Sequence, residues 1–177
     1  MNPLLHLLPA VYAALSRPAL TWAGAPVPAF EHLAQPLAGH YVLLEQPTAT
    51  GQGGGRQCRQ WSCTALVDVV TQFPTDLVSS APADALADQI TDRLEGQALY
   101  GLPAGYDCGP AVLELHNELR EGGAGVELAA VRRLLRFRWT VYAHATAPIW
   151  PPAGNGGNYR LTHGGNYRLT HVAPRFT

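Results

Sequence analysis

Lysine is missing altogether. All twelve basic residues are Arg, the side chain favoured in contacts between proteins. Charge of either sign is scarce, at 14% of 177 residues, against about 25% in an ordinary soluble domain. A monomer with so few charges has little polar material for its surface, which suggests that other subunits cover part of it. The net charge of −1 offers no bulk attraction to nucleic acid or to an anionic membrane. No apolar run approaches the ~18–20 residues that span a bilayer. The apolar start has no basic residue before Arg17, so neither a membrane segment nor a signal peptide is expected. Three cysteines cannot pair off into a disulfide framework, and synthesis in a reducing cytosol is expected. The spacing of Cys58 and Cys63 does not match a zinc knuckle, and they read as idle or buried thiols.

Catalytic signatures are equally scarce. Four serines are present, and none sits in a Gly-x-Ser-x-Gly elbow. Seven histidines are scattered without a His-Glu-x-x-His pair, and no dinucleotide fingerprint follows a strand. The Gly-rich run TATGQGGGR (residues 48–56) lacks the Lys-Ser/Thr of a phosphate cradle, and reads as a mobile connection between two strands. Glu114 and Glu118 flank His116 in what reads as one charged strand face turned to solvent. No enzyme, cofactor or metal is expected.

What is present is a strong strand pattern in residues 59–72, RQWSCTALVDVVTQ. Trp61, Cys63, Ala65, Val67 and Val69 alternate with Ser62, Thr64, Leu66, Asp68 and Val70, the period of a strand with one face in a core. The segment is more than twice the usual ~5–6 residues, so it should be a central, bent element of an antiparallel sheet. Its expected partner is LLRFRWTVYAHA (134–145), in a strand starting near Val131. VELAAVRR (126–133), read alone, would be helical. Residues 26–32 read as a short edge strand because of Pro28, residues 39–46 as a clearer strand, and residues 111–120 as a strand.

Two helices should pack on that sheet. Leu4, Leu8, Val11, Tyr12 and Leu15 recur at helical spacing, with the regular helix expected to start at Pro9. Leu86, Ile90 and Leu94 form the buried stripe of the second helix, opened by Ser79 or Ser80 with Pro82 in its first turn and closed by Gly96. Asp84, Asp88 and Asp92 form a second stripe nearly opposite. With no His beside them they read as a solvated or subunit-facing acidic surface, not as metal ligands.

After Thr146 the periodicity fades, and GGNYRLTH occurs twice, at residues 156–163 and 164–171. Two copies are too few for a repeat fold. Each joins a turn signal to a short strand-like Tyr-Arg-Leu-Thr, so the chain divides into a domain (1–145) and an extended C-terminal arm (146–177). Tyr159, Arg160, Tyr167 and Arg168 are of the types that anchor interfaces; a duplication without a role in a tail is the competing reading.

The elements LLPAVYAALS, HYVLLEQ, WSCTALVDVVTQ, ADALADQITDRL and LRFRWTVYAH follow an α-β-β-β-α-β-β order and close on an Arg-x-Arg strand. In this order the chain resembles the tail terminator, or tail-completion, proteins of long-tailed phages and prophages, over residues 4–145. The resemblance implies an α+β fold, helices on a mostly antiparallel twisted sheet, and no catalytic residues. It further implies a homohexameric ring in the virion's tail or neck, made in the host bacterial cytoplasm. That ring would cap the tail tube, end its polymerisation and present a surface to the head connector. DNA would pass through its channel without sequence-specific contact. The arm has no counterpart in the family. Other readings are a connector or stopper ring between portal and tail, a small-molecule-binding α+β module, and an enzyme using Cys63 or Cys108 as nucleophile, for which no base is visible.

Overall fold

Two strands of seventeen residues form the spine of the molecule. A computed structural model of the chain describes residues 2–31, 38–55, 58–74, 78–121 and 128–144. In chain order the elements are α1 (Leu4–Ser16), β1 (Leu20–Trp22), β2 (Ala25–Val27), β3 (Ala29–Phe30), β4 (His40–Gly55), β5 (Cys58–Pro74), α2 (Ala81–Leu94), β6 (Tyr106–Cys108), β7 (Val112–Glu121) and β8 (Leu128–His144). β5 and β8 run antiparallel in one unbroken register, from Cys58 opposite His144 to Pro74 opposite Leu128. β4 pairs with the other side of β5, and β3 adds to β4 in parallel. On the far side of β8, β7 and β6 pair with its first and last parts. β1 and β2 form a separate hairpin. The fold is α+β, with two helices on a mostly antiparallel sheet.

The alternation of β5 sets which face is covered. Cys63, Ala65, Val67 and Val69 share a core with Leu135, Phe137, Trp139 and Val141 of β8 and with Leu7, Val11 and Leu15 of α1 and Leu86 and Ile90 of α2. Phe137 and Trp139 are fully buried, with ring centroids 6.0 Å apart. The centre of the other face is also closed. There Leu66 (6% exposed), Asp68 (0%) and Val70 (5%) lie beside Tyr41, so β5 is buried on both faces where one was expected.

Polar side chains fix the helices to their neighbours. Gln89 of α2 accepts the Thr21 N–H at 3.2 Å and donates to the Thr21 carbonyl at 2.9 Å, extending β1 like an added strand. The Arg93 guanidinium donates to the carbonyls of Leu15, Pro18 and Ala19 at 3.0, 2.6 and 3.2 Å. It thereby satisfies acceptors that the end of α1 would leave open. Ser79 Oγ accepts the first N–H of α2, and Gly96, at φ 72°, follows the last turn as expected.

Several boundaries differ from the sequence pattern. α1 starts at Leu4 and carries Pro9 inside it, with Asn2 accepting the Leu4 N–H. Residues 48–55, expected as a mobile connection, are strand: Thr48–Gly51 and Gly54–Gly55 pair with β5, because the β5 ladder supplies the partners that a Gly/Thr sequence does not advertise. The expected strand at 26–32 is two, with Ala25–Val27 in the hairpin and Ala29–Phe30 on the sheet; His32 lies outside the described residues. β8 starts at Leu128, since pairing with Phe73 and Pro74 overrides the helical propensity of VELAAVRR. β6 forms in the Gly/Pro-rich stretch between α2 and β7.

Candidate functional site

The surfaces available for contact divide by the faces of the sheet. On the helix side, Arg133 projects from β8 and pairs with Asp84 of α2, its Nε donating at 2.8 Å, and with Glu118 of β7. Asp84 is thus ion-paired to the sheet, while 46% of its side chain stays exposed. Asp88 and Asp92 are exposed. On the other face, Arg132 Nε donates to Asp68 at 3.2 Å and its Nη1 to Glu121 at 2.8 Å. Asp68 has no exposed side-chain surface, so its charge depends on Arg132 for compensation. The hydrogen bond to Asp68 in turn pushes the Arg132 pKa up.

A bulge in β7 between Leu113 and Leu115 changes the reading of its charges. Glu114 pairs with Arg138, on the side turned from the helices, whereas Glu118 pairs with Arg133 on the helix side. The two carboxylates flanking His116 do not share a face. The hydrogen bond from Arg120 holds the Glu118 carboxyl below its usual range. Both edges of the sheet are thus distinct, and β7 is the charged one.

Cys63 and Cys108 do not fit a nucleophile. Cys63 is fully buried, and that burial pushes its pKa up to about 11; a thiolate is what such chemistry needs. Burial also raises the Cys108 pKa, and its thiol donates to the Gly109 carbonyl at 3.2 Å. Among the described residues no three His, Cys, Asp or Glu side chains gather as a metal site, and no helix is long and apolar enough to cross a membrane. A concavity of about 430 Å³ opens between the C-terminal halves of the two helices, walled by Ala10, Ala13 and Ala14 and edged by Arg17, Asp92 and Tyr100. Tyr100 is 83% exposed.

The far end of the sheet is bare. Beyond Glu45, β4 reads QPTATGQGGG, without a charge and with no buried residue. Gly54 is required there: its φ is +132°, and a Cβ would stand 2.3 Å from the Cys58 carbonyl oxygen. Trp61 lies against Gly51 from the neighbouring strand, its ring 3.7 Å from where a Cβ would be. On the other face the Thr48 and Thr64 hydroxyls are hydrogen-bonded at 2.6 Å. Tyr159, Arg160, Tyr167 and Arg168 lie outside the described residues.

No family model and no curated protein matches this sequence. Solved structures do. One is a chain described as "Virion of native gene transfer agent (GTA) particle", with a TM-score of 0.54 and 21% identity. The likeness is one of fold. It covers 76% of this chain and 95% of that one, so nearly the whole of the virion chain is accounted for by this architecture. Asp88 and Asp92 were marked by their helical spacing, whereas nothing in the chemistry of residues 46–55 singles out the bare end of β4. The signal of that end is its exposure.

Proposed function

We propose that the protein is a structural component of a phage-like virion, acting as a tail terminator. Six copies form a ring on the end of the tail tube, stop its polymerisation and offer the opposite surface to the head connector. DNA passes through the ring without sequence-specific contact. The observation that carries this reading is the fold shared with nearly the full length of a gene transfer agent virion chain. The low charge density and the bare, uncharged end of β4 support it, since a ring subunit needs two different, mutually matching surfaces. Asp88 and Asp92, with Asp84 behind them on Arg133, supply an acidic patch for one such surface. Tyr159, Arg160, Tyr167 and Arg168 supply anchors for another.

The test is polymerisation of the tube protein from the same particle in the presence of this chain. Tubes limited in length, with added ring density at one end, are expected. Tubes of unchanged length and bare ends contradict the proposal. Binding to the portal complex in place of the tube end would identify a connector or stopper ring.

A further inference from the structure

The two helices cover one face of the sheet, and β8 carries a row of arginines on the other. Arg132, Arg136 and Arg138 alternate with Leu135, Phe137 and Trp139 of the core. Two of the three are neutralised, Arg132 by Asp68 and Glu121, and Arg138 by Glu114. Arg136 is exposed, with no ion-pair partner among the described residues. It stands between Leu66 of β5 and Leu115 of β7. Glu45 lies beyond Leu66 in the same row, two strand spacings or about 10 Å away. Val112 and Leu119 of β7, 45% and 43% exposed, share this face. An arginine set among apolar side chains has the composition of an interface anchor.

The outer side of the helix layer has the matching character. α1, LLHLLPAVYAALS, contains no Asp, Glu or Arg, and a helix apolar all round is normally covered all round. Its buried residues are Leu7, Ala10, Val11 and Leu15. Leu5 (68% exposed) and Tyr12 (39%), two turns apart, stay open on the opposite side. Beside it, α2 presents Asp88 and Asp92 opposite its own buried stripe. Asp84 is neutralised by Arg133, whereas Asp88 and Asp92 have no ion-pair partner among the described residues. Exposed Glu95 follows at the end of α2, and exposed Arg17 at the end of α1.

We infer that the helix layer of one copy docks on the β7–β8 face of the next copy. Asp88 and Asp92 lie against Arg136, and the exposed side of α1 covers the apolar side chains around it. A helix layer meeting itself would bring two acidic stripes together, and a sheet face meeting itself two uncompensated arginines. Charge therefore favours the mixed pairing, and the covered Leu5, Tyr12, Val112 and Leu119 supply its apolar contact. The two surfaces lie on different sides of one domain, so the contact repeats head to tail. The inference rests on the ring reading for its closure, since a head-to-tail contact also permits an open filament.

The experiment follows assembly of the full chain, by light scattering behind a sizing column and by negative-stain images with tail tubes present. Three proteins are compared with the parent: Arg136→Glu; Asp88→Arg, Asp92→Arg; and the chain carrying all three changes. Each of the first two should weaken assembly about tenfold or more, because like charges then meet. Mixed one to one they should assemble again, alternating around the ring, and the triple variant should assemble alone. A variant that merely failed to fold could not be recovered by mixing. Leu5→Asp should weaken assembly with the urea midpoint unchanged; assembly equal to the parent's overturns the contact assigned to α1. If the first two variants assemble like the parent, or if neither the mixture nor the triple variant recovers, the inference is overturned and the ring reading stands. Open filaments that obey the same charge rules support the contact and remove the ring. A parent chain that never assembles, alone or on tubes, removes both.

Discussion

The two ends of the β4–β5–β8 ladder share one hydrogen-bonded register but differ in cover. At one end, residues 63–71 of β5 are almost continuously buried, enclosed by α1 and α2 on one face and by Tyr41 and the Asp68–Arg132 pair on the other. At the other end, residues 46–55 of β4 are half-buried or exposed, and apart from Gln46 and Gln52 their side chains are small or absent. Backbone pairing alone carries the strands past the core. Stability belongs to the covered end, and substitutions should separate the two ends.

The largest effect is expected in the core. Phe137→Ala removes a fully buried ring between β5, β8 and the helices, and should cost about 3–5 kcal/mol in urea unfolding. A loss under about 1 kcal/mol would mean that the covered end is not the stabilising one. Next comes Arg132→Ala, which leaves Asp68 buried without its partner and should cost about 3 kcal/mol. Arg132→Ala, Asp68→Leu should recover part of that loss; no recovery would show that packing, and not the uncompensated charge, is responsible.

At the bare end, Gly54→Ala forces a side chain into a positive-φ position against the Cys58 carbonyl. The local cost should be about 1–3 kcal/mol. Faster amide exchange over residues 48–55 should report it, with little change in the global urea midpoint, because the tip can open without the core. An equal fall at both ends would show the ladder to be one cooperative unit. The smallest effect concerns His40, against the ring of Phe73 at 5.4 Å. Burial lowers its pKa below that of a free imidazole, so the folded chain binds this proton less readily than the unfolded one. Its contribution is complete above that value and is lost as pH falls through it towards the folded pKa. Urea midpoints on either side should differ more in the parent than in His40→Gln; identical pH slopes would contradict this.

The covered end was the more legible. Period-2 alternation around Val67 and the Leu86/Ile90/Leu94 stripe follow directly from burial, and burial is what sequence patterns record. The bare end left no such trace. Residues 48–55 are strand because β5 holds them, and Thr, Gln and Gly look the same in a loop. Asp68 and Arg132 are 64 residues apart, so their pairing required the β5–β8 register to be known. The helical spacing of Asp84 was legible, but the reach of Arg133 to it from β8, 49 residues on, was not.

The central claim is that this chain is a ring subunit. Light scattering behind a sizing column, with negative-stain images of the same peak, tests it most directly. A closed ring of about six subunits with a central hole is predicted, the outcome of a head-to-tail contact whose rotation closes. A chain that remains a monomer alone, and that stays free in solution when mixed with tail tubes, would contradict it.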